Sequence, residues 1–297
     1  MKPAPFRYAA AESLDHALAL KARYGEEARF LAGGQSLIPA MNFRLAQPAV
    51  LIDINPLLAL DYIQAEAGGL RIGARTRYAT VEHSAEVAKL QPLLAEVLPN
   101  IAHPQVRNRG TLCGNLSHAD PASELPAVML ACGARMHARS ASGDRWIAAS
   151  DFFLNLFETA LQADEMLVEI ELPPLPPRTG SCFIEVARRQ GDYAMMGVAV
   201  QLTLDAGGKC THAGIALCNA GPTPMAAPAA AQLLVGSNLD VSVIAAAAAQ
   251  AQSEISPHGN VHATADYQRH LAGVLTRRAL ASAGARALHG NSQGQPA

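Results

Sequence analysis

Two glycine-centred segments contain the residues best suited to chemistry in this chain, LAGGQSLIPAMNFRL (31–45) and VRNRGTLCGNLSHADPASELP (106–126). Glycine has no Cβ and tolerates positive φ, so the backbone of such a turn can approach a bulky ligand closely. Successive exposed N–H groups then form a concavity that binds anions, especially where a helix starts after the turn. Two such turns, each flanked by strand and helix patterns, predict a site for a large anionic cofactor, a dinucleotide.

The second segment is the more informative of the two, because most of residues 107–120 are polar or glycine. A loop that is merely solvated would more often contain lysine and glutamate than two glycines beside threonine and asparagine. The first segment fits neither G-x-G-x-x-G, because Gly33 and Gly34 are adjacent, nor the P-loop, because no Gly-Lys-Ser/Thr follows. An ordinary strand-to-helix turn explains the first segment equally well, whereas the second favours a binding function.

Other potentially reactive side chains give weaker signals. The five cysteines form no C-x-x-C pair, which is typical of free thiols in a reducing compartment. No base lies near Cys113 in the sequence, so we expect an inert thiol there, and we expect His103 to be a loop histidine bonded to backbone. No catalytic triad or carboxylate pair is evident, as expected where a cofactor performs the chemistry.

Composition narrows the class of protein. With 297 residues, 50% of them hydrophobic and 16% charged, the chain has the size and profile of two well-buried domains. A net charge of −2 gives no electrostatic basis for binding nucleic acid or an anionic membrane. The N-terminus lacks the apolar region of a signal peptide and the apolar stretch 241–249 is too short for a membrane span. We therefore expect a cytoplasmic protein.

Periodicity and turn residues predict alternating helices and strands that would position the two segments. Helices are expected at 12–24, at 92–101 and from Pro121, with Asp120 as N-cap and Gly133 just past the end, and strands at 29–32, 50–54, 70–74 and 166–172. The proline-rich run 172–180 predicts a domain boundary. Beyond it we expect strands at 182–188, 194–204 and 211–218, and then alanine-rich helices, the last with Tyr267, Leu271 and Leu275 on one face.

Three stretches together resemble the FAD-binding medium subunit of the molybdenum hydroxylases, the family of xanthine dehydrogenase and aerobic carbon monoxide dehydrogenase. They are AGGQSLIPAMNFRLAQPAVLIDI (32–54), RNRGTLCGNLSHADPASELPAV (107–128) and RRQGDYAMMGVAV (188–200). The resemblance implies an α+β protein. Residues 1–175 would form a vanillyl-alcohol-oxidase (PCMH)-type FAD-binding domain of two α/β subdomains, 176–288 a smaller α+β C-terminal domain, and 289–297 a flexible tail.

The resemblance also implies a cofactor site. Residues 32–36 and 110–115 would hold the FAD pyrophosphate through backbone N–H groups and the side chains of Ser36, Thr111 and Asn115. Asp120 would bind the adenosine ribose, residues around Leu161–Leu167 would line the flavin, and Tyr193 would lie beside the isoalloxazine ring, where electrons leave. The residues expected to contact FAD are Leu31, Ala32, Gly33, Gly34, Gln35, Ser36, Leu37, Ala102, Val106, Gly110, Thr111, Cys113, Gly114, Asn115, His118, Asp120, Leu161, Leu167 and Tyr193.

One residue departs from the pattern, because the family commonly has glycine where this chain has Cys113. If that position needs a positive φ, a cysteine there costs on the order of 1 kcal/mol. We therefore expect Cys113→Gly to leave FAD binding unchanged or slightly tighter.

The resemblance places the remaining cofactors on partner chains, since this sequence has no iron–sulfur or molybdopterin motif. The partners implied are a large molybdopterin subunit, whose pocket decides the substrate, and a small subunit with two [2Fe–2S] clusters, in a dimer of heterotrimers. Electrons would pass from the clusters through FAD to an external acceptor. Two alternatives remain open, a self-sufficient flavin enzyme of the same fold and a non-catalytic nucleotide-binding scaffold.

Overall fold

The structure, a computed structural model, describes residues 2–66 and 69–289. The first unit is a three-stranded parallel sheet in the order β1–β3–β2 with two helices. Its elements are β1 (Arg7–Ala10), α1 (Leu14–Tyr24), β2 (Ala28–Leu31), α2 (Leu37–Asn42) and β3 (Val50–Asp53). The central strand β3 is buried at every position, as expected for a parallel strand that is covered on both faces.

The second unit is a five-stranded antiparallel sheet in the order β4–β5–β10–β6–β7, surrounded by short helices and a two-stranded hairpin. Its elements are β4 (Ile63–Glu66), β5 (Gly69–Gly73), α3 (Tyr78–Glu82), α4 (Ala85–Leu90), α5 (Pro92–Val97), α6 (Pro104–Arg107), α7 (Leu112–His118), α8 (Glu124–Cys132), β6 (Arg135–Ser140), β7 (Gly143–Ala148), α9 (Ala149–Phe152), β8 (Phe153–Asn155), β9 (Glu158–Thr159) and β10 (Met166–Leu172). The predicted strand at 166–172 is thus confirmed.

The third unit is a four-stranded antiparallel sheet in the order β11–β12–β13–β14, followed by three helices. Its elements are β11 (Thr179–Val186), β12 (Met196–Leu204), β13 (Cys210–Cys218), β14 (Met225–Ala226), α10 (Pro228–Leu234), α11 (Val241–Glu254) and α12 (Ala265–His289). None of the helices in the described part of the chain is long and apolar enough to cross a membrane.

The third sheet joins two cores, because successive side chains of a strand point to opposite faces. Val198 and Val200 of β12 belong to a core shared with the C-terminal helices. Ala199, between them, belongs to the core of the first two units. The face carrying Ala199 packs against α8, which is apolar nearly all round and buried along its length. Helix α8 therefore fixes the second unit to the third.

The α+β class is confirmed, while one local expectation, the helix start at Asp120, is wrong. Helix α8 starts at Glu124 with Ser123 at its N-cap position, and Asp120 instead closes a turn by accepting a hydrogen bond from the Ala122 amide at 3.0 Å. The second glycine segment contains the end of helix α6 and all of helix α7. On the last helix the three residues expected on one face are spaced by four, with Leu271 and Leu275 buried and Tyr267 45% exposed at its start. Within the expected tail, only His289 at the end of α12 lies among the described residues.

Candidate functional site

The first glycine turn lies between β2 and α2, at the carboxyl end of the parallel sheet. Gly34 has φ +72°, a conformation that L side chains rarely adopt, and a Cβ there would lie 3.1 Å from side-chain atoms of Ile38 and Leu31. Gly33 is buried, and a Cβ there would lie 2.4 Å from the carbonyl oxygen of Arg109. Gly33 therefore has to be glycine because the backbone of the second segment packs directly against it.

The second segment is held by its own hydrogen bonds. The Thr111 hydroxyl caps α7 by accepting from the Gly114 amide at 3.1 Å, and the Asn115 amide donates to the Thr111 carbonyl at 3.1 Å. The Gly110 amide donates to the Val106 carbonyl at 2.7 Å, and a Cβ on Gly110 would lie 2.5 Å from the Tyr78 ring. The backbone amides of Gly110, Gly114 and Asn115 therefore already have acceptors. Of the backbone N–H groups over 110–115 that were expected to hold the FAD pyrophosphate, those of residues 111–113 remain as candidates.

The first turn lines a cleft of about 420 Å³, and Arg109, the residue before Gly110, also borders it. Its walls include the first turn, α2 and the start of the second segment, namely Leu31, Ala32, Gly33, Gly34, Gln35, Ile38, Pro39, Asn42, Asp53, Asn55 and Arg109. Glycine backbone and an arginine therefore border the same cleft. The two glycine segments lie together because Gly33 packs against Arg109 and Gly110, while their joint role in holding FAD stays a prediction.

A second group of predicted site residues gathers where the third unit meets the second. Gly191 has φ +87°, and a Cβ there would lie 2.5 Å from the Ala102 carbonyl oxygen. The loop that follows carries Tyr193, which is 58% exposed and whose hydroxyl faces the Asp120 carboxylate. Desolvation of the hydroxyl, and then the charge of Asp120, raise the pKa of Tyr193 well above its usual value. The phenol therefore stays protonated and can donate to Asp120.

Asn115 and His118 are two further predicted site residues, both on α7. The Asn115 side chain donates through Nδ2 to the Ser123 hydroxyl at 2.7 Å, and its Oδ1 accepts from that hydroxyl at 3.0 Å. These contacts connect α7 to the turn before α8. The His118 ring lies 5.1 Å from the Phe157 ring, and burial lowers its pKa, so the imidazole is neutral at pH 7. Its expected role toward a cofactor stays a prediction.

The remaining predicted residues differ in how much surface they offer. Gln35 is exposed and its side-chain amide donates to the Gly33 carbonyl at 3.1 Å, while Ser36 is half-buried at the N-cap position of α2. Leu161 is half-buried against the main core. Leu167 is only 3% exposed, so it offers little surface to a cofactor.

Cys113 does not have the strained conformation that the sequence comparison suggested. It lies inside α7 and is not among the residues with positive φ. Its thiol is buried, and burial raises its pKa far above the usual value, as expected for an inert cysteine. The expectation that Cys113→Gly would relieve strain is therefore wrong, since glycine in a helix is less favourable than cysteine.

Sequence reasoning missed Asp53 and Asn55, which lie at the end of β3 beside the cleft. In sheets with parallel strands, ligands bind beyond the carboxyl ends of the strands, so their position after the predicted strand 50–54 was the available signal. It also missed Glu124, which is 3% exposed and whose pKa is raised to about 8 by burial and by Glu185. Within residues 2–66 and 69–289, no group of three or more His, Cys, Asp or Glu side chains could hold a metal ion.

The chain matches two known families of protein domains. Residues 4–175 match the family described as "FAD binding domain in molybdopterin dehydrogenase", and residues 181–283 match "CO dehydrogenase flavoprotein C-terminal domain". The chain belongs to this family of flavoprotein subunits. The resemblance drawn from the three sequence stretches is therefore confirmed.

Relatives of this flavoprotein subunit align over almost its whole length. It is 41% identical over 283 residues to the 6-hydroxypseudooxynicotine dehydrogenase complex subunit alpha of Paenarthrobacter nicotinovorans, covering 95% of this chain and 96% of the relative. It is 38% identical to the carbon monoxide dehydrogenase medium chain of Afipia carboxidovorans, covering 97% and 99%. A solved structure of reconstituted CO dehydrogenase from Oligotropha carboxidovorans superposes with a TM-score of 0.94 at 38% identity, covering 96% and 100%.

These findings establish the class of protein and its cofactor. The chain is an FAD-binding medium subunit of the molybdenum hydroxylase family and thus part of an oxidoreductase. The expected FAD-binding fold followed by a C-terminal domain is confirmed by the superposition on CO dehydrogenase.

Proposed function

We propose that this chain is the electron-transfer subunit of a heterotrimeric molybdenum hydroxylase that assembles as a dimer of heterotrimers. A large molybdopterin subunit would oxidise the substrate, and a small subunit with two [2Fe–2S] clusters would carry the electrons to this chain. FAD supplies a group that accepts electrons and releases them to an external acceptor. The proposal is supported by the family and by the convergence of both glycine segments on one cleft.

The proposed residue roles follow the two groups of the site. Backbone amides of the turn 32–36 and of residues 111–113 would hold the FAD pyrophosphate, and Tyr193 would cover the isoalloxazine ring. Asp120 faces the Tyr193 hydroxyl. In an extended dinucleotide the adenosine ribose and the flavin ring lie at opposite ends, so these neighbouring residues serve one end. We therefore assign Asp120 to holding the Tyr193 side chain through its hydroxyl rather than to the adenosine ribose.

Purification of the tagged chain from its native host tests the assignment. We expect two further chains, iron and molybdenum to co-purify with it and the complex to contain FAD. The tagged chain produced alone should contain FAD but should not turn over any substrate that the complex oxidises, with a dye as acceptor. Substrate turnover by the chain alone would indicate a self-sufficient flavin enzyme, and a colourless protein that binds no added FAD would indicate a scaffold.

A further inference from the structure

Two side chains connect the glycine turns beside the cleft, and one of them, Asn55, also lines it. The Asn55 side-chain amide donates to the Ala32 carbonyl at 2.9 Å, and its Oδ1 accepts from the Arg77 guanidinium. The same guanidinium donates to the Arg109 carbonyl. The Asn55–Arg77 bridge therefore links the first turn to the second through three hydrogen bonds, at the point where Gly33 and Arg109 touch.

Asn55 is held in place on further sides. Its backbone amide and its side-chain amide donate to Asp53 Oδ1 at 2.9 and 2.5 Å, and the Tyr8 hydroxyl donates to Asp53 Oδ2 at 2.5 Å. The Arg75 guanidinium donates to the Asn55 carbonyl at 2.7 Å. Because these contacts anchor Asn55 to β1 and to the end of β3, the bridge starts from a fixed point of the sheet.

The charges around the bridge supply a second, independent observation. Arg77 is half-buried, and burial followed by the charges of Arg75 and Arg109 lowers its pKa. The neighbouring carboxylates are those of Asp53 and Asp61, so the positive charges outnumber the negative ones. Arg109 lines the cleft, arginine is suited to binding phosphate, and neither glycine turn contains a lysine.

We propose that Asn55 and Arg77 are positioning residues for FAD, which set the separation of the two glycine turns and hold positive charge beside the pyrophosphate. The planar guanidinium binds two acceptors at once, and a lysine ammonium cannot reproduce that geometry. This inference rests on the proposed location of the pyrophosphate in the cleft.

FAD titration of the FAD-free full-length chain, followed by quenching of flavin fluorescence, tests the bridge. Arg77→Lys retains the charge but not the double contact, and we expect it to raise the Kd for FAD about tenfold. Arg77→Met loses the charge as well and should weaken binding further. Arg286→Lys is the matched control, because Arg286 also joins a backbone carbonyl, that of Ser181, to a carboxylate, that of Glu96, on the C-terminal helix.

The melting temperature of each FAD-free variant separates a positioning role from a general loss of stability. We expect Arg77→Lys and Arg286→Lys to melt at similar temperatures and to differ in FAD affinity. Asn55→Ala should weaken FAD binding too. Because each substitution breaks the same bridge, the double variant Asn55→Ala/Arg77→Lys should bind FAD about as tightly as the single variant with the lower affinity. Should Arg77→Lys not fold, Asn55→Ala and Arg77→Met provide the same comparison.

Wild-type FAD affinity in Arg77→Lys and Asn55→Ala, or fully additive losses, would overturn the bridge. If Gly33→Ala has lost FAD in the same assay, the pyrophosphate location stands and only the bridge is refuted. If Gly33→Ala also binds FAD as tightly as the wild type, the pyrophosphate location itself is wrong.

Discussion

A single methyl group at Gly33 should force the two glycine turns apart. In Gly33→Ala the added Cβ would lie 2.4 Å from the Arg109 carbonyl oxygen and 2.7 Å from Gly110 Cα. An ordinary van der Waals contact begins at about 3.4 Å, so the turns must separate by roughly 1 Å, and both neighbours are backbone atoms that cannot rotate away. We expect an FAD affinity lower by one to two decades, or about 1.4–2.8 kcal/mol.

Two other glycine variants separate this clash from backbone strain. Gly133→Ala places a Cβ at φ +62° with nothing within 4 Å, so it imposes strain alone, at the far end of α8. Gly34→Ala combines φ +72° with contacts to flexible side chains of Ile38 and Leu31. Strain of this kind costs on the order of 1 kcal/mol of folding free energy. Gly133→Ala should thus lower stability without changing the affinity for FAD.

The assay is FAD titration of the deflavinated chain, with circular dichroism and thermal melting of each variant as folding controls. The reasoning predicts an affinity order of Gly133→Ala, Gly34→Ala and Gly33→Ala from tightest to weakest. A folded Gly33→Ala variant that binds FAD as tightly as Gly133→Ala would refute it, because the contact between the turns would then not matter for the cofactor.

Three further predictions concern single side chains. Burial raises the pKa of Glu124 in the folded chain to about 8, so the FAD-free wild type loses stability as pH rises from 4.5 to 8. FAD-free Glu124→Gln lacks this loss, so over that range its free energy of unfolding in urea should rise by roughly 1–3 kcal/mol relative to the wild type. Parallel pH profiles of the two proteins would contradict this prediction. Cys113→Gly should lower the unfolding free energy by about 1 kcal/mol rather than tighten FAD binding, and an unchanged midpoint would argue against a helical Cys113. Tyr193→Ala in the assembled complex should alter flavin reoxidation in stopped-flow experiments while cluster reduction stays unchanged, whereas an effect on melting temperature alone would favour a structural role.

Local sequence patterns determined much of the fold. The alternating apolar residues of 166–172 and 194–204 predicted strands β10 and β12 because a half-buried or buried strand repeats every two residues. The prolines at 173–177 marked the segment between the second and third sheets, since proline cannot join a ladder. The paired glycines at 33 and 34 marked a tight turn after β2.

Tertiary structure decided which distant residues meet. Gly33 lies against Arg109, Asn55 bonds Arg77, and Tyr193 of the third unit faces Asp120. No periodicity encodes such pairs, because they depend on how whole units pack.

The same holds for the ends of helices within the second segment. Asp120 has a residue type that suits an N-cap, yet the chain turns there and α8 starts at Glu124. Thr111, in contrast, does cap the helix that follows it, α7. A residue's type limits the caps it can form, but the backbone around it, held by packing between the sheets, determines which of them it makes.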